Sequence, residues 1–416
     1  MAENSIALSK GSVSASLHIL TLLLTLWASS VSAQSGVRPT ERLSELAGDG
    51  SVLLHSPSGE ALVSINPDRA LVPASIIKIP LTQVALTALG EDFRFETHFY
   101  TNEDGDLLIR GLGDPFLVSE EIASISNTLA THGLTQVRRL VMDDFAFESS
   151  PDLPVERGTD QPYGARNSAL AVNFNTVNLA WSSAGNLISG EPQTPLTEFA
   201  RELAGDFSPG EAQRINLGEN PFAGLRQAQQ LFQFFLQENG ITVSDNNFYR
   251  NGVNDQWTLF YRHRSSRSLQ DNLDGMLRYS NNFIANQLFL TLGAQRSGYP
   301  ATTEAARNLL QQQLVQLYGD NYGRDENSLL MLEGSGLSRT QRARASGMIH
   351  ILEVFKPHAQ LLPEVGGVLR KSGTLAGVYN FIGYLQGPAG LYPFVILTNQ
   401  SVNNRAEILR LLQTML

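Results

Sequence analysis

Three features of the sequence predict a mixed α/β (α+β) fold, an antiparallel sheet flanked by helices, with a β-rich insertion. Alternating β-type segments stand near the start and again near the end of the chain. A long apolar helix follows the first of them. Between about residues 97 and 215 the texture changes to short strands and turns, and a helical pattern then returns. The 416 residues, 42% hydrophobic and 17% charged, suit a large buried core. The expected organisation is residues 1–33 as an export signal, 34–96 and 216–416 as two parts of one domain, and 97–215 as the insertion.

The elements follow in order. Leu17–Trp27 is an apolar run too short to span a bilayer, and the small residues Val31-Ser32-Ala33 follow it, so a signal peptide ending near Gln34 is expected. The flank before it is weak, with Lys10 opposed by Glu3, and an uncleaved anchor is the alternative. No other run is apolar enough for a stable membrane span. Residues 34–50 are a polar leader. "SVLLHS" and "ALVSI" around a Pro-Ser-Gly-Glu turn read as a hairpin. From Ser75 to Gly90 the chain is apolar nearly all round, which predicts a buried helix. "RFETHFYT", "GDLLIRGLGDP", "QVRRLVMDD" and "SALAVNFNTVNLAW" read as strands, and "SEEIASISNTLATHGL" as a helix stopping at Gly133. An amphipathic helix is expected from Pro221, a strand at "QWTLFYRHRS", and helix around Ser280. The end alternates: helix at Arg344–Phe355, strands at "GGVLRKSGTLAGVYNFIGYL" and "YPFVILTNQ", and an amphipathic final helix.

Composition excludes several functions. A net charge of −10 without a basic block argues against nucleic acid as a partner. "GLG" at Gly111–Gly113 is too short to mark a dinucleotide site, and no phosphate loop is present. With no cysteine there is no disulfide, thiolate metal site or cysteine nucleophile. The seven histidines are scattered, His350 and His358 being the nearest pair that could be considered for a metal. No metal or cofactor is expected.

Lysine usage is the sharper signal. Only four of the 30 basic residues are lysines, Lys10, Lys78, Lys356 and Lys371. Lys78 follows Ser75 at helical i, i+3 spacing, so the two share a face. A serine needs a base to become a nucleophile. Arginine stays protonated, whereas a desolvated lysine can release its proton. Ser280 and Asn282 can face one cleft from a turn. In "KSGTLAG", Lys371 brings charge, Ser372 and Thr374 bring hydroxyls, and Gly373 would let a ligand backbone approach. Each motif alone also reads as ordinary surface. Their order, Ser-x-x-Lys, Ser-x-Asn, Lys-Ser-Gly, is the signature of acyl-transferring serine enzymes.

Beyond the triple, "PASIIKI", "FRFETHFY", "GLGDPFLVSEE", "LVMDDFAF", "SALAVNFNTVNL", "LRYSNNFIANQL", "EGSGLSRTQRA" and "KSGTLAGVYNFIGY" resemble the DacB-like D-Ala-D-Ala carboxypeptidase/endopeptidase family of class C low-molecular-mass penicillin-binding proteins. The resemblance implies a transpeptidase/β-lactamase-like domain with an insertion between its first two motifs. It implies Ser75 as the acylated nucleophile, Lys78 as its base, Ser280 as proton relay, and Asn282 as holder of Lys78 and the substrate amide. Lys371, Ser372 and Thr374 would bind the terminal carboxylate, and the N–H groups of Ser75 and Thr374 the oxyanion. Asn281, Ser372 and Glu333 depart from the family's usual aspartate, threonine and aspartate, and Pro80 lies inside the serine helix.

The resulting expectation is a periplasmic serine DD-peptidase. Its partners would be peptidoglycan peptides ending in D-Ala-D-Ala, with β-lactam antibiotics as covalent inhibitors. A serine β-lactamase and a non-catalytic peptidoglycan-binding protein are the rival readings.

Overall fold

A computed structural model describes residues 39–416, apart from 150, 152, 156–160, 162–163, 205–211, 219, 221 and 323–327. The expected export signal lies outside the described residues. The chain forms two compact units, Met1–Glu45 and Leu46–Leu416. The described part of the first opens helix α1 (Pro39–Ala47), within what the sequence reads only as a polar leader, and Arg42 there pairs with Glu45 at 3.1 Å. The second unit carries everything that follows.

Strands β1 (Ser51–His55) and β2 (Ala61–Ile65) form the expected hairpin. A 3₁₀ turn over Ala74–Ile77 leads into α2 (Lys78–Leu89), so Ser75 sits in the tight turn and not in the α-helix proper. Pro80 is the third residue of α2. There an N–H has no partner within the α-helix, and a proline ring is tolerated. Strands β3 (Glu96–Thr101) and β4 (Leu107–Gly111), helix α3 (Ser119–Thr131) and strand β5 (Gln136–Asp143) come next. Then follow β6 (Thr176–Trp181), β7 (Leu187–Ser189), α4 (Glu198–Leu203), β8 (Gln213–Asn216), α5 (Ala223–Glu238), β9 (Thr242–Arg250) and β10 (Thr258–Arg264). The chain continues with α6 (Leu269–Arg278), α7 (Asn282–Ser297), α8 (Thr303–Tyr318), the short β11 (Leu329–Leu330) and β12 (Arg342–Ala343), and α9 (Ala345–Phe355). It ends with β13 (Val368–Leu375), β14 (Val378–Gly387), β15 (Gly390–Thr398) and α10 (Arg405–Gln413).

Two five-stranded sheets organise the unit. The first is wholly antiparallel, in the order β13-β14-β15-β1-β2, and so joins the two ends of the unit. Its core includes Ile76, Ile77 and Val84 of the serine segment, Leu288 and Phe289 of α7, and Ile382, Val395 and Leu397 of the sheet. The expected single strand at 366–385 is in fact the hairpin β13–β14, because Gly377 turns the chain at φ +73°. Helix α8, amphipathic enough to bury Leu310 and Leu314, is an element the sequence reading passes over.

The second sheet has the order β10-β3-β4-β5-β9, with β4–β5 and β5–β9 parallel. Its core joins Phe99, Ile109 and Val137 to Ile122 of α3 and Leu231 and Phe232 of α5. This sheet and its core run on to Arg264, past the boundary at 215. Helix α5, which the sequence reading assigns to the returning catalytic part, buries its apolar face here. Nor is the segment self-contained: Leu112, Ala146, Phe147 and Ala169 belong to the core of the first sheet. Asn167 Nδ2 donates to Phe283 O at 2.9 Å and to Gln287 Oε1 at 3.0 Å, tying it to α7. Texture along the chain marks where strands start; it does not reveal which core a helix face joins. The strand expected over "SALAVNFNTVNLAW" begins only at Thr176. Asn173, Phe174 and Asn175 all have positive φ and break the extended run.

Candidate active site

Four separate segments converge on Ser75. Lys78 Nζ donates to Ser75 Oγ at 2.8 Å, to Asn282 Oδ1 at 2.8 Å and to Ser335 O at 2.5 Å. Ser75 Oγ in turn donates to Ser335 O at 3.2 Å. Lys78 is completely buried, an unusual place for a lysine, and those three partners are neutral oxygens. Asn282 is the first residue of α7, and the turn before it is built around Ser280. Lys371 Nζ donates to Ser280 Oγ at 2.8 Å and to Ser372 O at 3.0 Å. Lys371 is only 1% exposed. Burial, and secondarily the charge of Arg405, pushes its amine down to about 7. The sequence-predicted residues thus form two hydrogen-bonded groups, Ser75–Lys78–Asn282 and Lys371 with Ser280 and Ser372 O, joined along the chain by the short turn from Ser280 to Asn282.

The backbone at both serines is held in unfavourable conformations. Ala74 has φ +51° and Ser280 φ +52°, left-handed values that cost a non-glycine residue roughly 1–2 kcal/mol each. Surrounding contacts enforce them. Asn380, in the middle of β14, donates to Val72 O at 3.0 Å and Pro73 O at 2.8 Å and accepts from Thr398 N at 3.0 Å. Asn399 Oδ1 accepts from Val72 N at 2.7 Å. These two asparagines fasten the serine turn to the sheet. The sequence reading missed both, although a lone asparagine in "VYNFIG" is a polar break in a buried strand. On the other side Asn281 caps α7, accepting from Ile284 N at 3.0 Å, a task in which asparagine equals aspartate.

Glycines let the pieces meet. Gly336 has φ +90°, and a Cβ there would overlap Ala74 O and stand 2.7 Å from Ser75 N. A Cβ on Gly373 would lie 2.6 Å from Pro73 O and 3.0 Å from Ile76 Cγ2. The sequence reading gives Gly373 to the approach of a ligand. The structure gives it to the close packing of β13 on the serine turn. Glu333 anchors the loop that supplies Ser335 O: its buried carboxylate accepts from Ser335 N at 2.6 Å, Gly336 N at 2.9 Å and Gln341 Nε2 at 2.6 Å.

Strand β13 lies at the edge of its sheet, and an edge strand presents backbone N–H and C=O groups along its outer side. Thr374 is on this strand, and its hydroxyl accepts from Arg405 Nη1 at 2.6 Å. Arg405, on α10, is a third site residue the sequence reading missed, because nothing in a C-terminal amphipathic helix signals its partner. Beside Ser280, Lys371 and Ser372 opens a groove of about 440 Å³. The pair considered for a metal, His350 and His358, is remote in role: His350 Nδ1 lies 3.5 Å from Glu353, and His358 packs on Phe355.

Comparison with known proteins fits this geometry. The family described as the D-Ala-D-Ala carboxypeptidase 3 (S13) family matches residues 42–204 and 208–363. A D-alanyl-D-alanine carboxypeptidase of Actinomadura sp. (strain R39) is 28% identical over 85% of this chain and 78% of its own length. Penicillin binding protein 4 (dacB) of Haemophilus influenzae superposes with a TM-score of 0.71 at 20% identity, covering 90% of this chain and 98% of that one. Its structure complexed with a β-lactam gives a TM-score of 0.67, again at 20% identity and with the same coverage.

Proposed function

We propose that this chain, which belongs to the D-Ala-D-Ala carboxypeptidase 3 (S13) family, hydrolyses D-alanyl peptide bonds of peptidoglycan through an acyl-enzyme on Ser75. The observation that carries the reading is the continuous contact Ser75–Lys78–Asn282, with Lys371–Ser280 beside it, built from residues far apart in sequence. Lys78, as the neutral amine, takes the Ser75 proton while Oγ attacks the carbonyl. The N–H groups of Ser75 and Thr374 receive the developing oxyanion. Ser280 passes a proton to the leaving nitrogen and is recharged from Lys371, whose amine sits near neutrality, while the proton that Lys78 took from Ser75 replaces the one Lys371 gives up, so that Lys78 is a neutral amine again. Asn282 orients Lys78 and the substrate amide. Ser372 and Thr374 hold the carboxylate next to the scissile bond, and the edge of β13 pairs with the peptide backbone. Lys78 then activates the water that releases the acyl group.

The short apolar run before Val31-Ser32-Ala33 supports export, and the periplasm is where such a substrate is met. β-Lactams, as mimics of the D-Ala-D-Ala peptide, would acylate the same serine. Intact mass after treatment with penicillin tests this. One adduct is expected, and it should vanish in Ser75→Ala. An adduct that persists in that variant overturns the assignment, and sustained β-lactam turnover would point to a β-lactamase.

A further inference from the structure

The first turn of α7 carries Asn282, and it is anchored differently from the rest of that helix. Ile284, Leu288 and Phe289 join the core of the first sheet. Phe283, only 1% exposed, packs instead on Ala165, Ala171 and Phe174 of the segment inserted after β3. Its carbonyl accepts from Asn167 Nδ2 of the same segment at 2.9 Å. Phe174 meets the Phe283 ring edge-on, with centres 5.9 Å apart and planes at 75°. It meets Phe116 in the same manner, at 5.4 Å and 77°. Phe116 in turn abuts α6, since a Cβ on Gly275 would stand 3.2 Å from Phe116 Cζ. Three rings from three segments therefore link α6 to α7, the two helices that the Ser280 turn connects.

The middle ring is held in a strained backbone. Asn173, Phe174 and Asn175 have φ +46°, +59° and +51°. Asparagine tolerates this left-handed region, whereas a phenylalanine seldom enters it. The neighbours enforce it. Asn173 Oδ1 accepts from Ser119 N at 2.9 Å, and its Nδ2 donates to Ser119 Oγ at 2.9 Å. Asn175 Nδ2 donates to Arg166 O at 2.8 Å. Phe174 itself stays partly exposed, so full burial of its ring does not offset the strain. Strain that the surroundings over-determine in this way is concentrated at functional sites. Building on the activity proposed above, we infer that Phe174 is a positioning residue of the reaction: in edge contact with both Phe116 and Phe283, it fixes the first turn of α7, and with it the reach of Asn282 to Lys78 and of Ser280 to Lys371, each 2.8 Å. Ser372 and Thr374, on β13, are held by the other sheet, so a loosened α7 turn slows acylation while leaving substrate binding in place.

Stopped-flow acylation of the full chain by a fluorescent penicillin separates the dissociation constant of the first complex from the limiting acylation rate. Phe174→Leu keeps an apolar side chain and loses both edge contacts. Its limiting rate should fall about tenfold, with the dissociation constant within about twofold of the parent. Phe174→Tyr restores the ring and should recover the rate to within about twofold. Phe232→Leu removes a comparable ring contact in the second core, where Phe99 lies 6.0 Å away, and should lower stability without slowing acylation. Should Phe174→Leu be insoluble, Phe116→Leu, which withdraws the support behind Phe174, carries the same test with an expected loss of about threefold. An unchanged rate in the folded variant, a Phe174→Tyr protein as slow as Phe174→Leu, or an equal fall in Phe232→Leu overturns the positioning role and leaves the activity standing. A parent protein that penicillin does not acylate overturns the activity itself.

Discussion

The buried amine of Lys371 gives a pH dependence that can be worked out from the structure. Its value of about 7 lies well below the 10.5 of a free lysine, because burial, and then Arg405, disfavours the charged form. Between those values the unfolded chain binds the proton and the folded chain does not. Stability therefore rises with pH through this window, and the cost of carrying the charge is greatest below pH 7. From about pH 6 to about pH 8 this one group should add roughly 1.4 kcal/mol to the stability of the folded state. Lys371→Met keeps length and apolar volume and removes the titration. Urea unfolding of both proteins at the two pH values isolates the effect, since every other group cancels in the difference. The parent should gain roughly 1.4 kcal/mol relative to the variant on going from acid to alkali. A difference that stays within about 0.3 kcal/mol would show that the folded amine keeps its ordinary affinity for protons, and that Lys371 is a fixed cation.

Other outcomes follow from the same geometry. Lys78→Arg keeps a long basic side chain but cannot accept the Ser75 proton, so penicillin acylation should fall by about a hundred- to ten-thousand-fold in stopped-time labelling. Gly336→Ala forces a Cβ into Ala74 at a left-handed position, and chemical denaturation should show a loss of about 2–4 kcal/mol together with slower acylation. Asn380→Leu leaves the carbonyl of Pro73 without its donor and that of Val72 with only Asn399 Nδ2 at 3.3 Å, so the serine turn relaxes; the acylation rate should drop more than the affinity for a non-covalent peptide, read as a kcat-against-KM split. Replacing residues 97–215 with a short linker removes β3, β4 and β5, the sheet partners of β10 and β9, and strips Asn167 from α7, so the product should be insoluble, as assayed by the soluble fraction after expression.

The sequence by itself determined the chemistry of the site. A chain that uses arginine almost everywhere keeps lysine at 78 and 371, and the residue types required by acyl transfer, hydroxyl, amine and amide, stand in an order that the structure gathers around one serine. It also determined the opening hairpin, the buried serine helix and the closing strands, because period-2 and all-apolar patterns are local properties. Tertiary structure decided what depends on distant neighbours. Asn380 and Asn399 look like incidental polar residues until the sheet brings them to the serine turn, and Arg405 looks like one charge on a surface helix until it reaches Thr374. Gly373 reads as room for a ligand, yet its missing side chain is needed by Pro73 and Ile76. The assignment of α5 to the second core and of Ala146 and Phe147 to the first follows from contacts closed by the whole chain. Hydrophobic periodicity says that a face must be buried. Which partner buries it depends on strand order, and strand order is fixed only when all the segments compete for the same edges.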